Sequence, residues 1–224
     1  MASYGPLFQT VRMLLRPFFP LKSIPEIEAL PRGAVYVCRH RNMRGPLYTL
    51  LHLKIQPRPW VLSVFCEREE CFEQFGGYTL SVRLRWKPLF ARTVARILSW
   101  IVPAAVRSAG GIPVYRNSAK IATTFRQSLK ALEAGQSIIL YADVEYTDMT
   151  DEVGELYDGF LLLGRMYYAA TGKQLLFVPV DYLPRERKIA VGEPVIFQGN
   201  APYKEEKSRV SALLDERIRA LGRG

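Results

Sequence analysis

The 224-residue sequence predicts an α/β fold, a single domain with a mostly parallel mixed sheet flanked by helices. Short apolar runs alternate with longer segments of helical periodicity, which is the pattern of strand–helix–strand units. Glycine and proline punctuate the changes between them. No internal repeat, low-complexity tract or linker interrupts the order, and 49% hydrophobic with 23% charged residues suits a buried core.

The elements follow in turn. Gly5-Pro6 opens a helix that ends before Pro17, with Leu7, Val11, Leu14, Leu15 and Phe18 on one face and Arg12 and Arg16 off it. Residues 1–29 thus read as an amphipathic N-terminal helix and lead-in, and 30–224 as the α/β domain. "AVYVC" (34–38) is a buried strand, "PLYTLLHLK" (46–54) a helix and "WVLSVF" (60–65) a second strand. Residues 66–87 mix Gly76-Gly77 with aromatic and charged residues and predict irregular structure. Residues 88–108 predict a helix striped by Phe90, Val94, Ile97, Leu98, Ile101 and Ala105, kinked or ended by Pro103. That stripe, like the first helix, serves either core packing or a membrane surface.

Gly110-Gly111 turns into a strand over 112–115. Ser118 caps a helix over 119–133, and Gly135 stops it. "SIILYA" (137–142) is a strand, and 143–158 an acidic loop with seven Asp or Glu. A helix over 159–171, strands at 174–181 and 188–197, and a helix over 204–221 complete the chain. Val210, Leu213, Leu214, Ile218 and Leu221 of the last helix face inward.

The net charge of +10 implies an anionic partner: nucleic acid, anionic lipid or a phosphorylated substrate. No nucleic acid is expected, because the basic residues are not gathered with aromatics into a recognisable module. Three cysteines without framework spacing and two histidines predict reduced structural thiols in a cytosolic protein, and no metal. Arg12 and Arg16 interrupt the N-terminal apolar run, against a signal peptide. The uncharged run 97–106 falls short of the ~20 residues of a membrane span.

Three loops carrying polar residues leave strand ends: 39–45, 116–118 and 143–148. Ligands in open α/β sheets gather there. "YVCRHRNMRGPLYTLL" (36–51) places His40 after a strand, among Arg39, Arg41 and Arg44. It is either a base at a strand end or a histidine of a basic loop. The neighbouring arginines favour the neutral ring that a base requires.

The order of these loops resembles the glycerolipid acyltransferase superfamily, which includes 1-acylglycerol-3-phosphate acyltransferases. "HRNMRGPLYTLL" holds His40 at the place of the family's motif histidine, with Gly45 where the family has aspartate. "GGIPVYR" (110–116) matches the second motif and puts Arg116 at its arginine. "IILYADVEY" (138–146) stands at the third, Asp143 aligning with its glutamate, or Glu145 after a two-residue shift. Gly159 stands for that motif's downstream glycine. "LLFVPVDY" (175–182) with Pro179 matches the fourth.

The resemblance covers about residues 30–182 and implies an acyltransferase-like domain. It also implies acyl transfer from acyl-CoA or acyl-ACP, as co-substrate rather than cofactor, to a glycerol-phosphate or lysophospholipid hydroxyl. His40 would be the general base, and Arg116, Asp143, Glu145 and Arg44 would hold the acceptor's phosphate. The location implied is peripheral, on the cytoplasmic inner face of an anionic membrane, with apolar faces bordered by Arg12, Arg16, Arg83, Arg85, Arg92, Arg96 and Arg107. Gly45 removes the carboxylate that orients the ring, for which Glu67, Asp143 and Glu145 are the candidate replacements. The alternative is an impaired member that binds lipid or an acyl carrier. Turnover restored by Gly45→Asp would show the scaffold intact.

Overall fold

A computed structural model describes residues 4–26, 30–116, 118–143 and 157–222. Among these, seven strands form one sheet: β1 (Val35–Cys38), β2 (Arg58–Leu62), β3 (Ile112–Val114), β4 (Ile138–Tyr141), β5 (Leu175–Leu183), β6 (Lys188–Val191) and β7 (Val195–Phe197). Their order is β3-β2-β4-β1-β5-β6, with β7 also paired to β5. The block β3-β2-β4-β1-β5 is parallel, and β6 and β7 pair antiparallel with β5.

Among the described residues seven α-helices accompany the sheet: α1 (Pro6–Leu15), α2 (Arg44–His52), α3 (Arg68–Glu73), α4 (Pro88–Ser108), α5 (Ile121–Glu133), α6 (Leu162–Thr171) and α7 (Tyr203–Leu221). The mixed, mostly parallel α/β architecture is the one the alternation predicts.

The central strands are apolar on both faces because helices cover both. All four residues of β1 are buried, and β5 is buried at eight of its nine positions. Val35 and Val37 enter the core beneath α5, α6 and α7 with Leu132, Phe160, Leu163, Phe177, Leu214 and Ile218. Tyr36 and Cys38 enter the opposite core with Leu53, Ile139 and Val180. Gly135 closes α5 with a φ of +71°, as a helix stop requires. Cys38, Cys66 and Cys71 are free thiols.

Four expectations change. Within the stretch expected to be irregular, 66–87, residues 68–83 are helical: α3 continues into a π-helical segment, Gln74–Arg83. It lacks a clean apolar period, so periodicity does not reveal it. The second strand ends at Leu62, and Ser63–Phe65 form a 3₁₀ turn. The strand expected over 188–197 is two, β6 and β7, separated at Gly192-Glu193-Pro194.

The fourth change is the orientation of α1. Arg12, placed off its apolar face and on a cationic rim by pattern, is 2% exposed. Its guanidinium donates to the Leu51 and Leu53 carbonyls, both at 3.0 Å, and Arg16 donates to Leu51 at 2.8 Å. The two arginines thus satisfy carbonyls at the C-terminal end of α2. Leu7, Met13, Leu14 and Phe18 are left in solvent.

Candidate functional site

The C-terminal ends of β1, β2, β3 and β4 lie along one edge of the sheet, since these strands run parallel. β1 and β4 are neighbours, with Cys38 opposite Tyr141. His40 and Asp143, two residues beyond those positions, therefore emerge side by side. Asp143 Oδ2 accepts hydrogen bonds from the His40 amide at 2.8 Å and the Arg41 amide at 3.3 Å. The carboxylate holds the backbone of the His40 loop, not the imidazole. Its pKa is raised by burial, against those two amides and the charges of Arg39 and Arg41.

The loop itself is wound tightly. Arg41, Asn42 and Met43 have φ of 44°, 47° and 73°, three successive left-handed residues without a glycine among them. The turn brings the Met43 amide 3.1 Å from His40 Nδ1. Nδ1 accepts this bond, so the neutral ring carries its proton on Nε2. The ring packs edge-on against Tyr141, centroids 5.9 Å apart. Tyr141 shares a 3.0 Å hydrogen bond with Thr49 of α2, which itself donates to the Gly45 carbonyl at 2.7 Å.

Gly45 is required by this winding. Its amide donates to the His40 carbonyl at 3.1 Å, and a Cβ there would collide with the Arg39 carbonyl oxygen. No aspartate fits the position without moving backbone, so Gly45→Asp would test a displaced loop rather than the scaffold as it stands. The Arg44 amide is used too, donating to Arg41 at 3.1 Å, and Pro46 has none. The N-terminus of α2 therefore presents the Arg44 side chain, which is exposed, rather than open amides.

Arg39 and Arg41 are not surface charges. Both are 3% exposed and both point at Asp181 of β5, fully buried. Arg41 Nε and Nη2 reach its two oxygens at 3.0 and 2.8 Å, a bidentate pair, and Arg39 Nη1 stands 3.7 Å away. Burial raises the Asp181 pKa, against its Arg41 hydrogen bond. Asp181 escapes sequence reasoning because it sits inside an apolar strand with no local partner. Its only signal is a charge in such a strand.

Arg116 leaves β3 on the same edge and is exposed. β3 lies three strands from β1, roughly 14 Å at ordinary strand spacing. The edge is shared, but Arg116 is not brought against His40 as Asp143 is. Glu145 lies outside the described residues. Glu67 precedes α3 and is exposed. The chain returns at Tyr157, whose amide donates to the Ala142 carbonyl at 2.8 Å, so both ends of the acidic loop meet the end of β4.

Two further contacts flank the loop. The Arg83 guanidinium, at the end of the π-helical segment, donates to Asn42 Oδ1. On the other side Tyr48 of α2 stacks on Tyr182 at 3.8 Å and on His52 at 6.3 Å. His52 Nε2 is 2.8 Å from the Phe19 carbonyl, and burial lowers its pKa. It is a packing histidine.

Cys38 lies buried at the end of β1, and burial pushes its thiol pKa well up, so it is no nucleophile at neutral pH. Among the described residues no group of three His, Cys, Asp or Glu stands together to hold a metal ion. The sequence matches no protein-family model and no curated protein.

Proposed function

We propose that the chain transfers an acyl group from a thioester on coenzyme A or acyl carrier protein to a glycerol-phosphate or lysophospholipid hydroxyl. We place it peripherally on the cytoplasmic face of a membrane. One observation carries the reading: His40 and Asp143 meet at adjacent strand ends, on a sheet edge that also holds Arg44 and Arg116. The cations suit the acceptor's phosphate, Arg44 on the His40 side and Arg116 across the edge.

In this reaction the acceptor oxygen attacks the thioester carbonyl and its proton passes to a base. The tetrahedral adduct then expels the thiolate, which takes a proton back. No covalent enzyme intermediate is needed. With Nδ1 accepting from the Met43 amide, the neutral His40 ring accepts only through that nitrogen, so taking the proton costs it the Met43 bond. Asp143 acts here as a positioning residue for the loop.

Purified protein supplied with palmitoyl thioester and lysophosphatidic acid tests the reading. Phosphatidic acid is the expected product, and turnover unchanged in His40→Ala discards the mechanism.

The occupied Nδ1 and the closed space at Gly45 favour a second reading, a lipid- or acyl-carrier-binding protein without turnover. Tight binding of lysophosphatidic acid or acyl carrier protein with no product under either donor decides for it.

A further inference from the structure

We propose that α4, with the segment leading into it, is an in-plane docking surface for an anionic lipid bilayer, lying on the membrane rather than crossing it. The helix has two unlike faces. Ala91, Ala95, Ser99 and Pro103 are buried, small side chains that seat α4 against α3 and the π-helical segment. The other face holds Leu89 at 83% exposure, Phe90 at 57%, Ile97 at 54%, Trp100 at 58% and Ile101 at 50%. So contiguous an apolar surface is not expected of a face that stays in water.

Charge selects the occupant. From Gln74 to Leu132 the chain has no acidic residue and ten basic ones, in a protein with 21 acids. Arg83, Arg85 and Lys87 precede α4, Arg92 and Arg96 border its stripe and Arg107 lies in its last turn, all exposed. An apolar face rimmed by cations fits anionic lipid headgroups above acyl chains, the nearby carboxylates Glu69, Glu70 and Glu73 lying on the α3 side beside Arg92 and Arg96. It fits an acidic protein less well, since such a partner has no use for so broad an aliphatic surface.

α4 is long and apolar enough to cross a membrane by length and composition. Its buried stripe and cationic borders favour lying flat. The Arg68 guanidinium sits 3.3 Å over the Trp100 ring, and those of Arg92 and Arg96 lie 5.5 and 4.9 Å over Phe72. Trp100, with one side apolar and one side cationic, has the character of an interface residue. The Arg83–Asn42 contact sets this surface beside the His40 loop. The docking surface rests on the peripheral placement proposed above, but it needs no acyl chemistry, so vesicle binding and turnover fail separately.

The test uses the whole chain with phosphatidylcholine vesicles, with and without phosphatidylglycerol, and no acyl donor. Cosedimentation is expected with phosphatidylglycerol and is expected to weaken as salt rises. Trp86 and Trp100 are the exposed reporters, while the Trp60 indole donates to Ser128 at 2.9 Å inside the fold. Lipids brominated near the headgroup should quench emission more than lipids brominated near the chain end, and Trp100→Phe should remove much of that quenching.

The double variant Leu89→Asp/Ile97→Asp changes side chains already in solvent and should keep the circular dichroism and melting temperature. Its vesicle affinity should fall at least tenfold, an order-of-magnitude expectation from the apolar area it forfeits. No vesicle binding, binding unchanged in a folded double variant, or deepest quenching at the bilayer centre overturns the proposal. So does a stable dimer that these substitutions dissolve and that never binds vesicles.

Discussion

The Met43 amide donates to His40 Nδ1 at 3.1 Å. The backbone amide of the third left-handed residue of the turn thus fixes which nitrogen of the imidazole holds the proton, a task that a carboxylate performs in a hydrolase triad. The consequence reverses the triad's sense: the ring is held as an Nε2 donor. Nitrogen-15 long-range correlation spectra at neutral pH should show the His40 proton on Nε2, and a proton on Nδ1 would contradict the bond. In the acyl-transfer assay His40→Ala is expected to lower turnover about 10²- to 10⁴-fold, the usual scale of general acid–base assistance.

Gly45→Ala is expected to destabilise the fold by about 3 kcal/mol, read by urea denaturation, because its Cβ meets the Arg39 carbonyl rather than a flexible side-chain tip. Gly45→Asp should cost at least as much and gain no activity. A stable, more active Gly45→Asp protein would mean that the loop unwinds at little cost.

Removing the Asp181 charge should be among the most damaging single changes. Asp181→Asn keeps the shape but takes the carboxylate from Arg41 and Arg39 inside the fold, with an expected loss of about 3–5 kcal/mol. Denaturation midpoints check this. Replacing Asp181 and Arg41 together by apolar residues should recover part of the loss, because the desolvation cost goes with the pair.

Glu206, 3% exposed near the start of α7, accepts from Arg209 and, at 2.7 Å, from the Gln198 amide. The Arg209 hydrogen bond leads in holding its pKa below the ordinary 4.5, and burial opposes it. A depressed carboxyl stabilises the fold above its ordinary value, and that stability is lost as pH falls through the folded-state value. Glu206→Gln should therefore lower stability at neutral pH and flatten the acid limb of a melting-temperature profile. An unchanged acid limb would assign that sensitivity to other groups.

The parts legible in the sequence are those whose cause is local. β1, β4 and β5 are apolar runs because both their faces are covered, and Gly135 stops α5 because only a left-handed residue ends it so. The shared edge of His40 and Asp143 follows from alternation and parallel order. Other features have distant causes. Arg12 faces inward because carbonyls 39 and 41 residues away need donors, and no helical wheel contains them. Asp181 answers Arg41, 140 residues upstream. The occupied Nδ1 of His40 depends on three left-handed residues that sequence alone gives no reason to expect.

The pairing register carries a last consequence, for assembly. Val35 pairs with Ile138 on one side and Phe177 on the other, so the innermost ribbon of the sheet emerges from a ribosome long before either neighbour. Until both arrive, β1 has two open flanks and His40 has no Asp143 to anchor its loop. Contacts so far apart along the chain make for slow folding. A fragment ending before residue 138 retains this unsatisfied ribbon, which makes it prone to clump rather than to fold as a smaller unit.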